Sequence, residues 1–288
     1  MKIAQNNVEA VEQYLKESLS AFYSAREIEL FTDILLEDFW NISKSQRLLN
    51  KDIRLSESQL LQVIYACKDL KKYRPIQYIT GKVFFADLEL EVDENVLIPR
   101  PETEELFSLI AKENHSPSVI VDFCTGSGCL ALALKNRYSS AKVIATDISK
   151  GALTVAQRNA HKNKLEVHFI ESDVLNSQSS DFPFKADIIV SNPPYVLESD
   201  KKDMSANVLQ YEPQLALFVD DDNAIVFYKK IADIAFELLN DGAKLYFEIH
   251  ENKGKEVCDY LVAKGFTQVM VIKDFYEKER FVAATKVQ

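Results

Sequence analysis

Asn192-Pro193-Pro194-Tyr195 stands directly behind the apolar run Ala186-Asp187-Ile188-Ile189-Val190-Ser191. A β-branched run closed by two prolines reads as a buried strand that stops abruptly. Pro193 and Pro194 lock φ and remove two backbone donors, which leaves the carbonyls there free to accept. An amide acceptor (Asn192), a free carbonyl (Pro193) and an aromatic face (Tyr195) then share one strand end. That set suits a planar NH2 group, which offers two N–H donors and a flat π face. The competing account is a proline-stabilised turn whose tyrosine fills a gap, and four residues alone do not exclude it.

The second group lies upstream. Val119-Ile120-Val121-Asp122-Phe123 has the pattern of a short buried strand, followed by Cys124-Thr125-Gly126-Ser127-Gly128 and a helical run from Cys129 to Arg137. Strand, glycine-bearing turn and helix bring backbone N–H groups and a helix N-terminus to a nucleotide-like cofactor. A dinucleotide fingerprint would need a third glycine where Ala131 stands, so that match is poor. The acid at Asp122 fits instead a cofactor with a cationic ammonium and sulfonium, such as S-adenosylmethionine. Lys142-Val143-Ile144-Ala145-Thr146 reads as the second strand and ends in Asp147, where a carboxylate can hold a ribose diol. Asp147 could equally belong to the cap of the next helix, a role open to Ser149 as well. Val167-His168-Phe169-Ile170 leads into Ser172-Asp173-Val174, a third strand end. Four such ends on one edge fall where open α/β sheets bind ligands.

With these residues in place, the chain resembles the glutamine N5-methyltransferases that act on peptide chain release factors. The resemblance runs in order through Pro75-Ile76-Gln77-Tyr78-Ile79-Thr80-Gly81, Val96-Leu97-Ile98-Pro99-Arg100-Pro101-Glu102-Thr103-Glu104 and Asp122 to Cys129. It continues in Asp147-Ile148-Ser149, Asn159-Ala160, Ile189 to Tyr195 and Glu212-Pro213-x-x-Ala216-Leu217. Asn-Pro-Pro-Tyr is shared with adenine-amine methyltransferases, whereas the Ile98–Glu104 stretch is specific to the glutamine enzymes. The resemblance implies S-adenosylmethionine held by Cys124, Thr125, Gly126, Ser127, Gly128, Asp147, Val174 and Asn192. Val174 reads equally well as a core valine. It implies a substrate glutamine, in the Gly-Gly-Gln loop of class 1 release factors, met by Asn192, Pro193, Pro194 and Tyr195. It also implies that the N-terminal helices dock the substrate protein. The chain departs from the family at His250 and Lys253, where glycine and glutamine are usual, at Glu277 in place of a glycine, and at Asp220-Asp221-Asp222 in a glycine-bearing loop. These departures touch loop shape, since none lies in the cofactor or amide motifs.

The expected chemistry is direct methyl transfer. An amide nitrogen is a poor nucleophile because its lone pair is delocalised into the carbonyl. Holding it in line with a methyl donor at about 3 Å turns a slow encounter into an oriented one. Asn192 Oδ1 and the Pro193 carbonyl would each accept one N–H and favour the positive charge the nitrogen acquires. Tyr195 would pack on the flat amide, and no base of unusual pKa is needed. Arg100, Glu102 and Thr103 stand near the site, but capping and structural pinning explain them as well.

Composition narrows the classes. The net charge of −10 points away from duplex nucleic acid, whose binders are typically basic, and towards a protein partner. Lys68 to Arg74 forms one local basic stripe, which also serves as a helix end complementing the dipole. Cys67, Cys124, Cys129 and Cys258 show no paired ligand spacing, and the four histidines are scattered, so no metal site is expected. Reduced thiols, no leader-like pattern in Met1 to Asn7 and no run of about 20 apolar residues suit a cytoplasmic enzyme, expected to be a monomer. Two rivals remain. One is a nucleic-acid methyltransferase acting on an exocyclic base amine, which needs a basic face beside the motif and a flipped base. The other is a cofactor-binding protein without catalysis, against which an intact Asn-Pro-Pro-Tyr argues.

The elements that must position these groups follow from glycine and proline placement. No glycine precedes Gly81 and no proline precedes Pro75, so residues 1–74 read as a helical bundle with short polar joints. Val8, Val11, Leu15, Leu19 and Phe22 form one stripe, and Ser24-x-x-Glu27 and Ser56-x-x-Gln59 are capping boxes that open two further helices. Leu48 and Leu49 belong to a short helix. Residues 75–98 read as a connector with a β-hairpin about Ala86-Asp87. The methyltransferase domain is expected over 99–288, beginning with a helix from Glu102 to Glu113. Its later elements are a helix over 223–239, a strand over 243–249, a helix over 252–264 and strands over 266–272 and 280–286. The fold class expected is α/β: a seven-stranded, mostly parallel, doubly wound Rossmann-like sheet whose last strand runs antiparallel.

Overall fold

The structure is a computed structural model that describes Ile3 and residues 5–287. Met1, Lys2 and Ala4, part of the stretch inspected for a leader, lie outside the described residues, as does Gln288. The chain divides into two compact units. One runs to Gly81 and includes Ser205–Tyr211; the other comprises Lys82–Met204 and Glu212 onward.

The first unit is helical: α1 (Val8–Leu19), α2 (Ala25–Trp40), α3 (Lys44–Leu49), α4 (Glu57–Leu70) and the short α5 (Ile76–Thr80). Serines at 24, 43 and 56 each close a full capping box with Glu27, Gln46 and Gln59, so each start satisfies its own first-turn N–H groups. The core takes Val8, Val11, Leu15 and Leu19 from α1, Ile28 and Leu35 from α2, and Val63, Cys67 and Leu70 from α4. Phe22 falls just past the end of α1 and is 38% exposed, so the stripe stops one turn earlier than its spacing suggests. Leu48 and Leu49 sit in α3 as expected, but on its solvent side.

The second unit opens with a hairpin, β1 (Lys82–Phe85) and β2 (Leu88–Glu91), turning at Ala86 and Asp87, both with positive φ. Next come α6 (Pro101–Glu113), β3 (Val119–Phe123), α7 (Cys129–Arg137), β4 (Lys142–Asp147), α8 (Lys150–Asn163), β5 (His168–Glu171) and β6 (Ala186–Ser191). A two-residue strand pair, β7 (Val196–Leu197) and β8 (Phe218–Val219), follows; between them in sequence lies α9 (Ala206–Tyr211), which belongs to the first unit. The chain ends with α10 (Val226–Leu238), β9 (Leu239–Glu248), α11 (Gly254–Lys264), β10 (Phe266–Lys273) and β11 (Glu279–Lys286).

Seven strands form one sheet in the order β10-β11-β9-β6-β3-β4-β5. The five from β9 to β5 are mutually parallel, and β11 runs antiparallel to both its neighbours. Helices α6, α7 and α8 cover one face with Leu106, Ile110, Leu130 to Leu134 and Ala160. Helices α10 and α11 cover the other with Ile231, Ala235, Leu238, Val257 and Leu261. This is the α/β, doubly wound, seven-stranded arrangement expected from the sequence. Strand β9 starts four residues before the expected Ala243, because its pairing with β6 shifts register between Ala186 and Ile188. Strand order reverses between β3 and β6, so the C-terminal ends of those two strands open onto the crevice where such sheets take ligands. The register pairs Phe123 with Ser191, which brings the glycine turn and Asn192 to that same point.

Candidate active site

The strand ends are tied to one another before any ligand is considered. Ser191 Oγ donates to the Phe123 carbonyl at 2.7 Å, Thr125 N–H to Thr146 O at 2.9 Å and Ser172 N–H to Asp147 O at 2.9 Å. The Asp147 carboxylate accepts from Gly126 N–H and Ser149 N–H, both at 2.9 Å. Asp147 thus bridges two turns, while the cap of α8 is the Ser149 side chain, which accepts from Ala152 N–H.

The glycine turn needs left-handed backbone at three residues. Gly126 (φ 55°) and Gly128 (φ 81°) take it without a Cβ penalty, but Cys124 also has φ 59°, which is costly for an L side chain. A Cβ on Gly128 would stand 3.1 Å from Ala156 Cβ, so this glycine also lets α8 pack close. Asn159, fully buried, spans three segments: its Nδ2 donates to Glu91 O and Ser127 O, and its Oδ1 accepts Glu91 N–H.

A cavity opens at this crevice. Its wall includes Cys124, Thr125, Gly126, Ser127, Asp147, Val174, Asn192 and Pro194 of the expected residues, together with Arg100, Thr103 and Asp122. Gly128, Pro193 and Tyr195 are not in the wall, and neither is Glu102. Gly128 caps α7. Val174 is both wall and core. Two loops complete the rim. Arg100 Nη2 and Ile98 N–H donate to the two oxygens of the buried Glu212, at 2.6 and 3.2 Å. That carboxylate ties the 95–100 loop to the segment carrying Pro213, Leu215 and Ala216, all of which face the cavity.

Asp122 is 1% exposed. Its Oδ2 accepts the Thr125 hydroxyl at 2.5 Å, while Oδ1 has no hydrogen-bond partner; the Ala131 N–H acts on the carboxyl without reaching hydrogen-bond geometry. Burial pushes this acid up to about 7, opposed by the Thr125 hydroxyl. Burial likewise raises Asp147 and pushes the Cys124 and Cys129 thiols up, so neither is a thiolate nucleophile. An orphaned, buried carboxylate oxygen on a residue of the cavity wall lacks a cationic donor. The pair of acceptors therefore fits a nucleoside cofactor with an ammonium group: Asp122 for the cation and Asp147 for hydroxyls.

At the clamp, Asn192 Nδ2 donates to Thr103 Oγ1 at 3.1 Å, and its Oδ1 accepts from no described residue. Thr103 Oγ1 donates to Glu248 Oε2 at 2.7 Å. Tyr195 donates its hydroxyl to the other oxygen, Glu248 Oε1, at 3.0 Å. Sequence reasoning gave Tyr195 a ring-stacking role and missed its hydroxyl contact, and it missed Glu248 altogether. The signal was present: Glu248 is a carboxylate closing the apolar run Leu245-Tyr246-Phe247, at the same sheet edge as Asp122 and Asn192. Burial raises the Glu248 carboxyl, and the Thr103 and Tyr195 hydroxyls and the Arg280 charge pull it back.

Comparison with known proteins gives the family. The Methyltransferase small domain model matches residues 102–232, and the PrmC N-terminal domain model matches residues 12–81. A release factor glutamine methyltransferase from Flavobacterium psychrophilum is 42% identical, covering 92% of this chain and 94% of that one. Its counterpart from Bacteroides thetaiotaomicron is 39% identical, covering 95% and 98%. The chain belongs to the release factor glutamine methyltransferase family. A methyltransferase from Pyrococcus furiosus shares the fold, with a TM-score of 0.53 at 18% identity over 81% of this chain and 100% of that one. No helix among the described residues of this methyltransferase is long and apolar enough to cross a membrane.

Proposed function

We infer that this methyltransferase acts on the side-chain amide nitrogen of the glutamine in the Gly-Gly-Gln loop of class 1 peptide chain release factors. When bound, S-adenosylmethionine supplies an electrophilic methyl group. Asp122, Asp147 and the 124–128 turn would hold it. Every remaining task falls to the chain's own residues, and it is one of placement.

The observation that carries the reading is the committed amide of Asn192. Its NH2 is taken by Thr103, so Oδ1 is the end left to meet a ligand. An oxygen there accepts from a substrate NH2 and repels a substrate carbonyl, which selects the nitrogen end of a carboxamide. The Pro193 carbonyl, which accepts from no described residue, is the second acceptor. Two fixed oxygens stabilise the charge that nitrogen gains as it loses amide resonance, with no reorganisation at the moment of transfer. The surplus proton then departs to water. Pro194, in the cavity wall, helps exclude solvent. We further infer that the N-terminal helices dock the release factor, that nucleic acid is not a substrate, and that the enzyme works in the cytoplasm as a monomer.

The test is incubation with methyl-labelled cofactor and purified release factor, beside RNA and DNA. Label on the release factor alone, lost when its loop glutamine is replaced, is the expected result. Label on a nucleic acid would favour a base-amine methyltransferase.

A further inference from the structure

We propose that Glu248 is the positioning residue of the clamp: one buried carboxylate, acting through Thr103, fixes which end of the Asn192 amide faces the substrate, and at the same time holds Tyr195. The inference rests on the amide-clamp reading above.

Both Glu248 oxygens act as acceptors, each taking one hydroxyl proton, whereas a hydroxyl has one proton to give and lone pairs to receive. Glu248 Oε2 takes the single Thr103 proton at 2.7 Å, so Thr103 Oγ1 can offer Asn192 nothing except a lone pair. Asn192 must therefore present Nδ2 to Thr103, at the observed 3.1 Å, and its Oδ1 to the other side. The orientation of the Asn192 amide is dictated from Glu248, two bonds of the network away. The second oxygen, Oε1, accepts the Tyr195 hydroxyl at 3.0 Å, so both polar side chains of Asn192-Pro193-Pro194-Tyr195 end on one carboxylate. Glu248 is 1% and Thr103 2% exposed, so water cannot substitute for either partner. Glu248 lies 145 residues from Thr103 in the chain, and its ladder position in β9 between β6 and β11 is what brings it beneath the β6 end.

The relay makes an asymmetric prediction. In Glu248→Gln the new amide can donate to Thr103 Oγ1. The Thr103 proton is then free to point at Asn192, whose amide turns over and offers NH2 to the substrate nitrogen. Two donors then meet, and kcat falls although the shape of the side chain is retained. Thr103→Val keeps the shape and breaks the relay, while Thr103→Ser keeps the hydroxyl and loses a methyl.

The experiment measures kcat and KM on release factor for wild type and these three variants. It adds S-adenosylhomocysteine affinity by calorimetry and the Asn192 side-chain NH2 resonances by NMR in the ligand-free protein. Expected are kcat values about 10- to 100-fold lower for Thr103→Val and Glu248→Gln, and most of the Val loss restored in Thr103→Ser. S-adenosylhomocysteine affinity should stay within about threefold, and the Asn192 NH2 resonances should shift in the Val variant but not in the Ser variant. Should Glu248→Gln fail to fold, the Val and Ser pair still decides. Equal kcat and unshifted NH2 resonances in Val and Ser overturn the relay while wild-type transfer to glutamine leaves the clamp standing. Wild-type protein that labels no glutamine sinks the clamp itself.

Discussion

Replacing Asp122 with Asn isolates a conflict between stability and cofactor binding. Asp122 is buried with one oxygen unpartnered, and burial carries its acid from an ordinary 3.8 up to about 7. A folded value above the unfolded one means that the fold binds the proton more tightly. The associated stability is complete below about pH 4 and is lost as pH rises through about 7. At about 1.4 kcal/mol per pH unit, the span amounts to about 4 kcal/mol. Above pH 7 the wild-type fold therefore carries an ionised, half-satisfied carboxylate, which the ammonium of S-adenosylmethionine relieves. Asp122→Asn keeps an oxygen for the Thr125 hydroxyl and removes the charge. Urea unfolding of both proteins between pH 5 and 8 should show wild-type stability falling relative to the variant by a few kcal/mol, with the variant more stable at pH 8. Calorimetry at pH 8 should show the variant binding S-adenosylmethionine at least tenfold more weakly. Parallel stability curves for the two proteins across that range would refute the burial argument, and undiminished binding would remove Asp122 from the cofactor's cation.

Three further outcomes are expected. Asn192→Ala should lower kcat by about 100-fold or more, in line with the loss of one charge-stabilising partner, while S-adenosylmethionine binding stays within roughly tenfold; single-turnover kinetics and calorimetry check both halves. Glu277, at φ 63° in the turn between β10 and β11, should gain about 0.5–1 kcal/mol on replacement by Gly, left-handed strain outweighing the extra freedom of the unfolded chain; thermal unfolding reads it. Arg100→Ala strips the ion pair from the buried Glu212 and frees the two rim loops, so stability should fall by about 3 kcal/mol and cofactor dissociation should quicken, both measurable on the purified protein.

How much could be read in advance follows from how locally each feature is encoded. The strand ends, the glycine turn and Asn192-Pro193-Pro194-Tyr195 are legible because glycine, proline and β-branched runs each restrict the backbone by themselves. Capping boxes at Ser24 and Ser56 are legible for the same reason, since both partners lie within four residues. Contacts across the sheet are not. Asn192 and Thr103 are 89 residues apart, Arg100 and Glu212 are 112 apart, and nothing near any of them marks the partner. Phe22 shows the limit of periodicity: helical spacing names a face, but α1 ends before that residue reaches it. Cys124 shows another, because a left-handed residue without glycine is imposed by the ties between β3, β4 and β6 rather than by its own side chain. Tyr195 was placed by its ring, and the structure holds it by its hydroxyl.

The account turns on which atom of a carboxamide the clamp receives. A crystal structure of the enzyme with S-adenosylhomocysteine and a glutamine-bearing loop peptide measures this directly. The side-chain nitrogen should lie within hydrogen-bond distance of both Asn192 Oδ1 and the Pro193 carbonyl. A peptide whose glutamine oxygen faces Asn192, or whose side chain lies outside the crevice between β3 and β6, would contradict it.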